Sequence, residues 1–291
     1  MTALLRLLVR LLALLPLPLL HGTGSVLGSL AALFPNRNRR ITLRNLALCF
    51  PELSEQQRAR WLVLSLRETA KAATETALMW RIGPQRLKRL VRGVEGEPLL
   101  REAITRGKGV IIASPHLGSW ELIGQYLQLQ HPLTSMYKPA KNVALDRVMH
   151  EGRSHLGMQL APTDTGGIRI LLAALRRGEL IGILPDQNPR SGAGVFAPFF
   201  GITTDTMTLL PKLAARSGAP VLVAYAERLG WGRGYRIHFL PVDGSVHDRD
   251  ETVAAAALNR AIETAVRQTP TQYAWSYKRF RRRPEGEPSL Y

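Results

Sequence analysis

The sequence predicts an α/β fold, a mixed central sheet flanked by helices, with an N-terminal membrane-anchoring helical segment ahead of it. Two observations predict it. From residue 109 onward, short apolar runs alternate with amphipathic stretches at the spacing of strands alternating with helices. Before residue 50 the chain is leucine-rich and basic, and Glu52 is its first acid. The 291 residues can build one large domain or two small ones around a full core. With 45% hydrophobic and 21% charged residues, the composition excludes a disordered chain.

Residues 3–20 read ALLRLLVRLLALLPLPLL, interrupted by Arg6, Arg10, Pro16 and Pro18. A polar break follows, and a second apolar run covers 26–34. A cleaved signal peptide needs a small-residue cleavage site, and no clear A-x-A appears. A spanning helix needs about 20 apolar residues, and the clean stretch 11–20 is half that length. A segment lying uncleaved among lipid headgroups tolerates both the arginines and the prolines. Membrane attachment is therefore the expectation, with a soluble core helix as the alternative. Arg37, Arg39, Arg40 and Arg44 follow directly and suit anionic lipid at the inner surface. If the segment spans, the same arginines place the rest of the chain in the cytoplasm.

Next comes a helical pattern over 54–80, with Ser54 as N-cap and Gln57 three residues on. Strands are expected at 109–114, 133–137, 180–184, 221–226 and 235–240, and helices at 121–130, 144–156, 168–177, 206–217 and 251–268. This divides the chain into an anchor at 1–34, a helical region at 35–90 and an α/β domain at 91–291. Against 22 acids stand 39 Lys and Arg, a net charge of +17, so an anionic partner is expected: nucleic acid, phospholipid or an acidic protein. No nucleic-acid recognition motif supports the first. The lone Cys49 excludes a disulfide scaffold and a cysteine-built metal centre, and it reads as buried.

Pro115-His116-Leu117-Gly118-Ser119-Trp120-Glu121 lies where a buried strand ends and a helix begins, the usual place for reacting groups in open α/β sheets. Histidine exchanges a proton near neutral pH, more readily when a carboxylate orients its far nitrogen. Five residues do not bring His116 and Glu121 onto one helical face. The expected arrangement puts His116 in the turn, Gly118 at a tight bend, Ser119 at the cap, and Glu121 reaching back from the first turn. H-x4-E also arises by chance, and a structural strand-end histidine is the alternative. The pattern is not H-E-x-x-H, and the chain carries neither G-x-S-x-G nor a phosphate-binding P-loop.

Further blocks carry a family likeness: Tyr137-Lys138-Pro139, Leu145-Asp146-Arg147-Val148-Met149, Gly152-Arg153 and Leu184-Pro185-Asp186-Gln187-Asn188. The closing segment is the most specific, with Pro270-Thr271-Gln272-Tyr273-Ala274-Trp275, Lys278-Arg279-Phe280 and Arg283-Pro284-Glu285-Gly286. Over nearly its whole length the chain resembles the late (secondary) lipid A acyltransferases of the glycerolipid and lysophospholipid acyltransferase superfamily. The resemblance implies an enzyme at the cytoplasmic face of the inner membrane of Gram-negative bacteria. It would move a fatty acyl chain from the thioester of acyl carrier protein to a hydroxyl of a Kdo-bearing lipid A precursor, beside anionic inner-membrane lipids. It implies His116 as general base with Glu121 as its partner, and requires no metal and no cofactor.

Elementary chemistry agrees, because an alcohol attacks a thioester poorly until a base takes its proton. The oxyanion needs donors or a cation; Lys138 and Arg153 fall on basic positions of the family blocks. Many relatives have Arg where Lys138 stands, and lysine keeps the charge but loses the planar fork. Asp186 and Gln187 end a strand at the edge that delivers His116, to hold the acceptor or support the pair. A turn cap before Pro189 is the alternative for Asp186. The aromatic stretch 195–201 reads as a loop, either walling an acyl channel or packing the core. The basic run 278–283 reads as a solvated face or a contact for acidic partners. Rival functions are an acyltransferase with a lysophospholipid or other glycolipid acceptor, and a non-catalytic basic membrane-binding protein.

Overall fold

Proline divides the apolar start of the chain. In the computed structural model, which describes residues 2–190 and 192–291, helices α1 (Thr2–Leu14) and α2 (Leu17–Leu33) meet at an angle of 112°. Pro16 sits at the break, and Pro18 lies in the first turn of α2, where its missing N–H goes unneeded. No single helix among the described residues is long and apolar enough to cross a membrane. On α1 the leucines at 4, 7, 8, 11 and 14 are exposed, while Val9 and Ala13 are buried. On α2, Gly24 and Gly28 lie flush against α4 (Glu55–Met79): a Cβ at Gly28 would fall 2.4 Å from the Arg67 backbone. Leu17 and Leu20 of the same helix join the core beneath the sheet. The segment is thus a wall of the protein on one side and an open apolar face on the other, where Val26, Leu27, Leu30 and Leu33 are exposed.

Helix α3 (Arg37–Cys49) leads to the long α4, which starts with the expected capping box between Ser54 and Gln57. After α5 (Pro84–Leu90) the chain builds the α/β layers. They run β1 (Val91–Glu95), α6 (Glu97–Thr105), β2 (Val110–Ala113), α7 (Trp120–Gln128), β3 (Leu133–Tyr137), α8 (Val143–Ser154), β4 (Gln159–Pro162), α9 (Thr165–Arg176) and β5 (Leu180–Ile183). A hairpin of β6 (Gly194–Phe199) and β7 (Ile202–Met207) follows, then α10 (Leu209–Ser217), β8 (Val221–Arg228), β9 (Tyr235–Pro241) and α11 (Glu251–Gln268). Seven strands form one sheet in the order β1-β9-β8-β2-β5-β3-β4. Only the β8–β9 pair is antiparallel, so the sheet is mixed but parallel-dominated.

Both faces of the sheet are covered, as parallel strands require. Ile111 and Ala113 of β2 face one core with Ile181 and Ile183 of β5, whereas Val110 and Ile112 face the other with Leu180. Two expectations need correction here. The stretch 195–201 is not a loop: its apolar alternation pairs with β7, and Phe200-Gly201 form the two-residue turn, both at positive φ. The helix expected from residue 206 starts at Leu209, because Ile202–Met207 belongs to that hairpin.

Candidate active site

The central strands β2 and β5 run side by side with Ala113 opposite Ile183. Three residues beyond each lies an ionisable side chain, His116 on one and Asp186 on the other. Both connections pass through a proline, Ser114-Pro115-His116 and Leu184-Pro185-Asp186. Equal overhang from paired positions brings the two together. Asp186 accepts from the His116 backbone N–H at 2.9 Å through Oδ2, and its Oδ1 lies 2.8 Å from His116 Nδ1. The Gln187 amide nitrogen stands 3.2 Å from His116 Nε2, and the Trp120 ring packs 5.2 Å from the imidazole.

Burial and charge differ across this pair. The His116 side chain is 19% exposed and that of Asp186 only 2%. Burial pushes the Asp186 carboxyl up, yet the His116 charge and the hydrogen bonds from His116 hold it below its ordinary value. It is therefore a carboxylate at neutral pH, an acceptor that selects the Nδ1–H tautomer and leaves Nε2 as an acceptor facing the Gln187 amide. Tyr273 lines the same hollow with Asn45 and Trp275; burial, then the Asp186 charge, keep its hydroxyl protonated far above the ordinary range.

Glu121 is placed differently from expectation. It makes no hydrogen bond to His116. It accepts from Arg153 Nε at 3.1 Å and from Arg153 Nη2, a two-point contact, and from Trp80 Nε1 at 3.1 Å. Asp186 occupies the imidazole nitrogen that Glu121 was expected to reach. The turn after His116 sets the Trp120 ring against the imidazole and carries the Glu121 side chain to Arg153 and Trp80 instead. Gly118 makes that turn, at φ 59°, where a Cβ would fall 2.0 Å from the Ala226 carbonyl oxygen. Ser119 occupies the cap position without making a side-chain cap hydrogen bond.

A second buried cluster grips the same turn from behind. Arg228 donates to the Gly118 carbonyl at 2.7 Å and to Glu75 at 2.7–3.0 Å. Glu75 also contacts His21 of α2 at 2.7 Å and accepts from the Tyr235 hydroxyl at 2.8 Å. Gln272 braces the turn further, its carbonyl accepting from the Gly118 N–H and its side chain bridging the Arg228 backbone.

Between α7 and strands β2, β3 and β5 runs a narrow apolar groove of about 480 Å³, its open mouth included. Ile112, Ile123, Leu127, Leu133 and Met158 line it, and Gly124 and Gly182 leave room along its length. Trp120, Glu121 and Arg153 form its polar end. Lys138 lies apart, exposed beyond β3, with no side-chain hydrogen bond among the described residues. The basic run 278–283 is not a solvated face throughout. Arg279 is buried and donates to the Asp205 carbonyl at 2.6 Å, and Arg282 pairs with Asp205 at 2.7 Å. These arginines donate to buried oxygens of the hairpin, the Asp205 carbonyl among them, which also accepts from Asn188.

Residues 2–282 match the family described as bacterial lipid A biosynthesis acyltransferase. The chain belongs to that family. The lipid A biosynthesis lauroyltransferase of Escherichia coli (strain K12) is 32% identical over 95% of this chain and 90% of its own length. The palmitoleoyltransferase of the same strain is 33% identical over 95% of this chain and 90% of its own. A lipid A biosynthesis acyltransferase of Haemophilus influenzae is 32% identical, covering 95% and 89%. The two relatives named for lauroyl and palmitoleoyl chains are thus about equally similar to this acyltransferase, so overall similarity does not choose between those two.

Sequence reasoning missed Trp80, Glu75, Arg228 and Asn45 as parts of this region of the acyltransferase. Only the matching Pro115-His116 and Pro185-Asp186 strand ends carried a signal that could have paired Asp186 with the imidazole.

Proposed function

We propose that this acyltransferase moves a fatty acyl chain from the thioester of acyl carrier protein to a hydroxyl of a Kdo-bearing lipid A precursor, with His116 as general base. The reading rests on one observation above all: the Asp186-oriented imidazole packs against Trp120, which lines an apolar groove together with the paired Glu121 and Arg153. His116 Nε2 takes the hydroxyl proton as the oxygen attacks the thioester carbonyl. Collapse of the tetrahedral intermediate breaks the carbon–sulfur bond, and the proton passes from the imidazolium to the departing thiolate.

Arg153 and the uncapped first-turn amides of α7 are the donors assigned to the oxyanion. Burial opposes the Arg153 charge, but Glu121 outweighs it and raises the guanidinium pKa above its ordinary value. Glu121 holds Arg153 in place and meets the substrate at the groove mouth. Gln187 donates to Nε2 in the resting state and yields to the incoming hydroxyl; exposed Lys138 is assigned to the charged part of a substrate. The leucine faces of α1 and α2 lie in the inner membrane surface, with the active site on the cytoplasmic side.

The test is mass spectrometry of lipid A from cells with the gene, without it, and carrying His116→Ala. Loss of one acyl chain in the last two is expected. Identical lipid A in all three strains would overturn the reading.

A further inference from the structure

Outside this site lies a second cavity with about 180 Å³ of water-accessible space, walled by α1, the end of α4 and α8. Arg6, Arg10 and Arg81 converge there on a single carboxylate, Glu151, with Trp80 and Gly152 at the back. Arg6 Nε donates to Glu151 at 3.0 Å. The Glu151 carboxyl is held below its ordinary value first by the Arg6 hydrogen bond, against slight burial, and then by the charges of Arg6, Arg81 and Arg10. Arg10 and Arg81 are exposed, and among the described residues their side chains make no hydrogen bond or ion pair. Three guanidiniums against one carboxylate leave two positive charges uncompensated in one hollow.

Its position narrows the ligand. Arg6 and Arg10 stand one turn apart on the flank of α1, between the buried stripe of Val9 and Ala13 and the exposed leucines. With those leucines in the acyl region of a bilayer, that flank lies at the depth of lipid phosphates. The back wall is shared with the catalytic region, since Trp80 also donates to Glu121 and Gly152 precedes Arg153.

We propose that this cavity is a lipid-phosphate site, in which Arg10 and Arg81, with Arg6 held by Glu151, take a phosphate carried by a membrane lipid. Guanidinium forks match phosphate oxygens and give charge-assisted hydrogen bonds. The shared Trp80 wall favours the phosphate of the acyl acceptor, an assignment that rests on the acyltransferase reading; the other source is a headgroup of the surrounding bilayer.

The test uses the full chain in detergent micelles and compares Arg10→Gln/Arg81→Gln with Arg176→Gln/Arg216→Gln. The control pair is exposed on α9 and α10 and removes equal charge. Kinetics are read on the lipid A precursor and on the same acceptor after phosphatase treatment. Binding is read on phosphatidylcholine vesicles with and without phosphatidic acid. If the acceptor phosphate is the ligand, the cavity variant raises KM for the intact acceptor about tenfold with little change in kcat, as expected for loss of uniform binding. Wild type then shows the same rise on the dephosphorylated acceptor, on which the variant loses nothing more. If a bilayer headgroup is the ligand, KM stays unchanged while affinity for phosphatidic acid vesicles falls about tenfold beyond the control pair. Either result supports the site. Behaviour equal to the control pair in both arms overturns it. Should wild type acylate no lipid A precursor, the acyl-transfer reading fails, and the vesicle arm alone decides the cavity.

Discussion

Two buried carboxylates grip the turn that carries His116, one from the front and one from behind. Asp186 meets an imidazole that is 19% exposed and faces a hollow. Glu75 meets Arg228, and both side chains are 2% exposed. Each pairing satisfies a charge that burial alone would penalise. The difference lies in the partner. An imidazole with Nε2 as an acceptor can trade a proton with a substrate, whereas a guanidinium enclosed by Glu75 and the Gly118 carbonyl can only hold. Similar electrostatics thus leave a part-exposed imidazole at the front of the turn and a closed brace behind it, and solvent access separates the two.

The largest expected effect is on the front pair. His116→Ala should lower acyl transfer about a hundred- to ten-thousand-fold, and Asp186→Asn should approach it: its one oxygen cannot serve both the His116 backbone N–H and Nδ1, and its NH2 turned to Nδ1 selects the other tautomer. Steady-state rates with an acyl thioester and a lipid A precursor check this; a wild-type rate in Asp186→Asn would break the comparison.

Behind the turn, the expected loss is stability. Arg228→Met takes the guanidinium from a buried Glu75, leaving it only His21 and the Tyr235 hydroxyl, which should cost about 3–5 kcal/mol in urea unfolding. Arg228→Met with Glu75→Leu should recover much of that, because no charge is then stranded. A double variant as unstable as the single one would show that the pair is not the unit that matters.

Glu121→Gln should fall between the extremes, lowering turnover about ten- to a hundredfold by loosening a two-point charged contact with Arg153. Its pH–rate profile should stay where wild type has it, because Glu121 bonds Arg153 and Trp80 and not the His116 ring. A displaced profile would return the orienting role to Glu121.

The smallest effect expected is a change of slope. Burial pushes the Glu75 carboxyl up, but Arg228 and His21 win and hold it down to about 2, against 4.5 ordinarily. A depressed carboxyl pKa stabilises the fold fully above the unfolded value and loses that contribution as pH falls through the folded one. Urea midpoints of wild type should therefore drop between pH 4.5 and about 2. With Glu75→Gln in place the curve should be flatter across that window. Equal slopes would place the acid sensitivity elsewhere.

Much of the architecture was readable because it is local. Short apolar runs between amphipathic stretches marked the central strands, Ser54 and Gln57 marked the start of α4, and Gly118 marked the bend after β2. The hairpin at Gly194–Phe199 escaped because Pro198 stands inside its apolar run and its partner strand is polar. The basic tail was misread in part for a related reason. Arg279 looks like a solvated charge until the hairpin carbonyls it satisfies are folded against it.

The sequence by itself determined the α/β class, the place of the H-x4-E turn and the family likeness, since each depends on residues close together in the chain. Tertiary structure decided which carboxylate orients the imidazole. Glu121 lies five residues from His116 and Asp186 seventy, yet the strand order sets β5 beside β2 and makes the distant one the neighbour. Hydrogen bonds follow distance in space, and backbone direction at a tight turn carries a nearby side chain away as readily as a parallel strand delivers a remote one.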